Sequence, residues 1–102
     1  MRVRILGVAQ VEAIDVADWY DQQTAGLGTR FLGALDVLVA KLTVHPRMYP
    51  RVRGAPAGRE VREAMIFGFP FVAVYEVTLA ESLILSLTHA RRVRRPWRQR
   101  LP

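Results

Sequence analysis

The run from Leu27 to Thr43 constrains this chain more than any other. Its apolar residues Leu27, Phe31, Leu32, Ala34, Leu35, Leu38, Val39 and Leu42 fall on one side of a helical repeat. Thr29, Arg30, Gly33, Asp36, Lys41 and Thr43 fall on the other. Such a stripe has to be buried, so it predicts a core helix from about Gly28 to His45, stopped by Pro46. A second helical period precedes it, from about Ala9 to Gln23. There Ala13, Ile14, Val16, Ala17 and Tyr20 share a face opposite Glu12, Asp15, Asp18 and Gln22, and Trp19 falls among the polar residues. Thr24-Ala25-Gly26-Leu27-Gly28 separates the two, with Gly26 suited to a left-handed turn. So short a connection makes the pair an antiparallel hairpin.

Around the hairpin the pattern is that of strands. Val3-Arg4-Ile5-Leu6 reads as a short strand ended by Gly7. A loop from Pro46 to Gly58, broken by Pro50, Gly54 and Pro56, carries Arg47, Arg51 and Arg53. Three strands follow: Glu60 to Phe67, then Phe69 to Thr78 after a turn at Gly68, then Ser82 to His89. The middle one is apolar on both faces, as a central strand is. In the last, alternation puts Leu83, Leu85 and Leu87 inward and Ser82, Ser86 and Thr88 outward, with Ile84 the exception. The order β-α-α-β-β-β predicts an α+β fold, a helical hairpin on one face of a mainly antiparallel sheet. The other face is expected to carry the polar alternates and stay open.

A chain of 102 residues supplies one core, since this length buries only about 60–70% of its extended surface; a single domain over 1–102 is expected. With 51% of residues hydrophobic, intrinsic disorder is excluded. No apolar run reaches the ~18 residues of a membrane span. The opening Met1-Arg2-Val3-Arg4 lacks a secretory apolar region, so a cytoplasmic location is expected. The absence of cysteine excludes a disulfide scaffold and thiol catalysis, and with two histidines neither a metal site nor a cofactor is expected.

The net charge of +6 is unevenly spread. Residues 1–45 carry four bases and five acids; residues 46–102 carry eleven arginines and four acids, a net +7. Lys41 is the one lysine, and from about residue 91 the chain becomes a basic tail with Arg91, Arg92, Arg94, Arg95, Arg98 and Arg100. Arginine pairs bidentately with carboxylate and phosphate, which marks a docking surface for an anionic partner. A solvated basic tail is the plainer reading of the same run.

Four segments, in order, resemble the RelE/ParE toxin superfamily. Ala17-Asp18-Trp19-Tyr20 with Gly26-Leu27-Gly28-Thr29-Arg30-Phe31-Leu32 is similar to that family's helical hairpin, and His45-Pro46-Arg47-Met48-Tyr49-Pro50 to the loop after it. Phe69-Pro70-Phe71-Val72-Ala73-Val74-Tyr75 resembles its aromatic-Pro strand. Leu83 to Arg92, with His89 and Arg92 and then Pro96-Trp97, resembles its closing strand. The resemblance implies the toxin of a type II toxin–antitoxin system, held inactive by a cognate antitoxin. RelE-like members cleave mRNA on the ribosome; ParE-like members poison DNA gyrase.

Metal-free RNA cleavage needs a base, cations on the scissile phosphate and an acid for the leaving oxygen. RelE-like nucleases supply several lysines and a C-terminal histidine, tyrosine or carboxylate. This chain has one lysine and neither histidine nor tyrosine in its tail. Arginine is too weak an acid to act as a base, which leaves His89 or Glu63; a nuclease here would use His89, Arg62 and Arg92. His89 has a structural alternative, capping its strand. The ParE-like branch is therefore the expected one, a binder of gyrase without chemistry of its own. The RelE-like endoribonuclease and a non-toxic basic binding module are the alternatives. Arg59, Arg62, Arg91, Arg92, Arg95, Trp97 and Trp19 are the residues expected to meet the target or antitoxin. Trp97 packing the tail onto the core is the competing role for that side chain. The expected partners are an acidic antitoxin and gyrase, or the ribosome and mRNA, with a dimer or toxin–antitoxin hetero-oligomer as the assembly.

Overall fold

The structure is a computed structural model, and it describes residues 1–92 and 96–102. The elements run β1 (Arg2–Ile5), α1 (Gly7–Gln23), α2 (Leu27–Val44), β2 (Glu60–Met65), β3 (Phe71–Val77), β4 (Glu81–His89) and α3 (Trp97–Arg100). Every element expected from the sequence is present to within two or three residues, and the short helix α3 is additional. The sheet order is β1-β4-β3-β2; β1 lies parallel to β4, and the other pairs are antiparallel.

The helical hairpin is drawn tight by small residues. On α1 the buried positions are Ala9, Ala13 and Ala17, spaced four apart, so the helix approaches its neighbours along one row of methyl groups. At Gly28 a Cβ would stand 2.2 Å from the Ala17 carbonyl oxygen. The Asp21 carboxylate accepts a hydrogen bond from the Gly28 N–H at 2.8 Å, capping α2 from the neighbouring helix. Gly26 turns the chain at φ +87°, the left-handed conformation anticipated for it. Ile14, expected inside, is 54% exposed, because the alanine row takes the centre of the buried face and leaves it on the flank. Leu32 is also partly exposed, on the flank of an α2 face centred on Phe31, Leu35, Leu38 and Leu42.

Phe31, Leu35, Leu38 and Leu42 of α2 pack with Ala64, Ala73, Tyr75, Val77, Ile84 and Leu87 of the sheet into the main core. This corrects the expected alternation of β4. Val74 pairs with Ser86 but Tyr75 pairs with Ile84, so Leu85 is an extra residue, a β-bulge. Leu83 and Leu85 consequently face away from the helices, and Ile84 and Leu87 face toward them.

The far face of the sheet is not open either. Val61, Val74, Leu83 and Leu85 form a second buried cluster closed by Trp97, with Val52, Ala55 and Leu101 at its margin. The apolar alternates released by the bulge require a cover, and the C-terminal segment supplies it. Arg100 fastens that segment: its Nη1 donates to Glu12 Oε1 at 2.8 Å and to the Leu85 carbonyl at 2.9 Å.

Candidate functional site

Two clefts meet at the end of β4. The larger, of about 730 Å³, lies between α1 and the β4 terminus. Its α1 wall carries Glu12, Asp15, Trp19 and Tyr20; Phe71, Leu87 and His89 stand opposite, and Arg91 and Arg92 are at one end. The wall is fixed by aromatic contacts. Tyr20 meets Phe69 at 5.1 Å and Phe71 at 6.1 Å between ring centroids, Trp19 meets Tyr20 at 5.1 Å, and Phe71 meets His89 at 5.3 Å. Burial raises the Tyr20 hydroxyl above its ordinary pKa, so it is a neutral group at physiological pH. Trp19 remains 54% exposed beside this cluster, a large amphipathic side chain held on a rigid helix.

The second cleft, of about 440 Å³, lies on the far face of the sheet. Arg51, Arg53 and Arg92 line it with Glu63, Thr88, His89 and Trp97. His89 and Arg92 thus form the wall common to both clefts. His89 is held locally: its Nδ1 accepts the Arg91 N–H at 3.1 Å, and its carbonyl accepts the Arg92 N–H at 3.0 Å. That is the strand-capping geometry.

The other residues singled out from the sequence are placed differently. Arg59 binds the buried carboxylate of Glu76 and the Pro102 carbonyl, and its pairing with Glu76 raises its pKa further. Arg62 donates to Glu60 at 2.8 Å and to the Tyr49 carbonyl at 2.6 Å, with its side chain only 14% exposed. Burial alone would raise the Glu60 carboxyl, but Arg62 and Arg47 outweigh it and hold the pKa below the ordinary value. Tyr75 donates to the Pro46 carbonyl at 2.7 Å, and burial pushes its pKa up to about 12. Arg59 and Arg62 therefore brace the 46–59 loop and the sheet rather than line either cleft. Trp97 is buried at 4% exposure, with the Arg98 guanidinium 5.9 Å from its ring centroid. It anchors the tail, the competing role given to it above. Arg95 lies outside the described residues.

Trp19, His89, Arg91 and Arg92 are therefore the expected residues that the fold brings together. Sequence reasoning missed Glu12 and the aromatic wall, whose contacts cross elements far apart in the chain. Among the described residues no cluster of metal-binding side chains occurs, and no helix is long and apolar enough to cross a membrane.

The arrangement of a two-helix hairpin between a short parallel edge strand and a three-strand antiparallel run is shared with a known structure. Among solved structures it is similar to a chain of the chromosomal ParDE TA system from P. aeruginosa. The TM-score is 0.73 over 87% of this chain and 95% of that one, at 20% identity. No family model matches the sequence, and no curated protein matches it.

Proposed function

We propose that this chain, as a single domain over residues 1–102, is the toxin of a type II toxin–antitoxin pair. We place it in the ParE-like branch, acting in the cytoplasm by binding DNA gyrase and neutralised by a cognate antitoxin. The observation that carries the reading is the fold shared over 95% of a chain from a ParDE system. The site supports binding over chemistry. Of the three side chains a nuclease would use, Arg62 is committed to Glu60 and the Tyr49 carbonyl, and the His89 Nδ1 accepts a backbone N–H. The groove beside Trp19 supplies an apolar wall with a cationic end, which suits a protein segment bearing apolar anchors and carboxylates.

Induced expression should arrest growth, and co-expression of the product of the adjoining gene should restore it. Purified protein in excess should inhibit supercoiling by gyrase. Unimpaired supercoiling overturns the gyrase assignment; unimpaired growth overturns the toxin reading.

One observation favours the RelE-like alternative: Glu63 and His89, the two candidate bases, both line the cleft that holds Arg51, Arg53 and Arg92. Mapping of mRNA 5′ ends after induction decides it, since codon-linked cuts are the expected product of that activity.

A further inference from the structure

Around the turn that joins β2 to β3, three apolar side chains point inward and one outward. Ile66 is buried, and Phe69 and Phe71 pack against the main core, where Phe69 meets Tyr20 and Phe31 at 5.1 and 5.2 Å between ring centroids. Phe67 is 88% exposed. Its backbone is fixed all the same. The Phe69 N–H donates to the Ile66 carbonyl at 3.1 Å, and the Ile66 N–H donates to the Phe71 carbonyl at 2.9 Å. Of the two central residues only Gly68 has a positive φ, +84°. That is a type II turn with Phe67 at its corner, an aromatic presented on rigid backbone.

Behind the turn, Met65 alternates with Ala64 and Ile66 of the main core and so lies on the far face of the sheet, 54% exposed. Met65, Val72, Tyr49 and Pro50 line a pocket of about 270 Å³ there, together with Glu63. Glu63 and Val72 also line the cleft that holds Arg51, Arg53 and Arg92, so pocket and cleft share a wall. The loop carrying Arg51 and Arg53 is pinned along β2: the Val52 N–H donates to the Val61 carbonyl at 2.9 Å, and the Glu63 N–H to the Pro50 carbonyl at 3.0 Å. Both arginines are exposed on it.

We propose that this surface binds a second partner protein, which receives Phe67 and Met65 in an apolar depression and sets acidic residues against Arg51 and Arg53. The proposal rests on the toxin reading, in which that partner is the target rather than the antitoxin. A toxin has two partners, and the molecule offers two surfaces: the groove beside Trp19 lies on the helical side of the sheet, and this one on the other. A lone exposed apolar residue such as Leu79 needs no partner. Phe67 and Met65 differ, since one is fixed on a turn, the other lines a pocket, and cations stand beside that pocket. Aromatic anchor and charged rim are the pattern of a protein interface. A protein suits it better than a nucleic acid strand, because the Glu63 carboxylate lines both pocket and cleft and repels a phosphate backbone.

The test compares variants with the unaltered chain in growth arrest on induction, inhibition of gyrase supercoiling, and binding of the adjoining gene's product. Phe67→Ser and Arg51→Glu/Arg53→Glu should each raise the dose for arrest and for gyrase inhibition about tenfold or more. Phe67→Trp should keep its potency. Leu79→Ser, at the β3–β4 turn, should change neither dose by more than about twofold. All four variants should keep the unfolding midpoint and bind the adjoining product within about twofold. An equal loss in Leu79→Ser, or a parallel loss of binding to the adjoining product, overturns the proposal. So does retention of a labelled RNA or DNA oligonucleotide that Phe67→Ser abolishes, which assigns the surface to nucleic acid. Arrest without gyrase inhibition removes gyrase as the target, and the growth dose alone then decides. No arrest by the unaltered chain overturns the toxin reading and the proposal with it; arrest that Phe67→Ser leaves intact overturns the proposal alone.

Discussion

Glu12 on α1 and Arg100 on α3 are 88 residues apart in the chain and 2.8 Å apart in space, and they meet across the outer edge of β4. The pair joins the helical hairpin to the segment that covers the far face of the sheet. Arg100→Ala leaves a partly buried carboxylate and the Leu85 carbonyl without their donor, and should cost about 1–3 kcal/mol in urea unfolding. Arg98→Ala, at an exposed position of the same helix, should change stability by less than about 0.5 kcal/mol.

The hairpin turn gives a prediction whose sign runs against helix propensity. Alanine ordinarily stabilises a helix interior by about 1 kcal/mol over glycine. At position 28 its methyl would collide with the Ala17 carbonyl, so Gly28→Ala should destabilise by about 1–3 kcal/mol. Asp21→Ala, which removes the cap on the same residue, should cost about 1 kcal/mol. Thermal unfolding of the two variants measures both.

Tyr75 sets an alkaline limit. Its folded pKa is about 12 against an ordinary value of 10.0. Between those values the unfolded chain releases the phenolic proton and the folded chain keeps it, so stability falls as pH rises through that window. Tyr75→Phe should flatten this part of the stability–pH curve while lowering stability at neutral pH, because the bond to the Pro46 carbonyl is lost. Glu60 acts at the other end. Its lowered pKa makes its contribution full above the ordinary carboxyl range and lost as pH falls below it.

Trp19 separates binding from folding. It is half exposed, so Trp19→Ala should leave the unfolding midpoint nearly unchanged while weakening binding of the proposed antitoxin about tenfold or more. The association rate of that complex should fall as salt rises, since residues 46–102 carry a net +7. A rate independent of salt would make the arginines bystanders.

The elements of this fold were legible because their signals are local. The Leu27–Leu42 stripe, the break at Gly26 and the doubly apolar run of β3 each lie within one segment. What escaped is non-local. Nothing in Leu83-Ile84-Leu85-Ser86-Leu87 marks one residue as unpaired; the bulge follows from matching β4 to β3 while two cores are filled. Trp97 reads equally as a surface aromatic among cations or as an anchor for the tail, and only the second cluster decides between them. The arginines were counted correctly as a charge but not as individuals. Arg59, Arg62 and Arg100 are held by Glu76, Glu60 and Glu12, and Arg91 and Arg92 stand exposed at the groove.

The bulge also leaves β4 with one residue more than its pairing with β3 requires. Leu85 is supernumerary to the pairing with β3, so its deletion preserves the phase of all that follows: Leu87 still points at the hairpin and His89 still borders the groove. The loss is one side chain of the second cluster and the carbonyl that accepts from Arg100. Deleting Ile84 gives the same register, because Leu85 then takes its place opposite Tyr75, whereas removing two residues inverts the parity of those before the bulge and sends serine and leucine to each other's faces. The pairing of this strand thus tolerates the loss of one residue at the bulge but not of two.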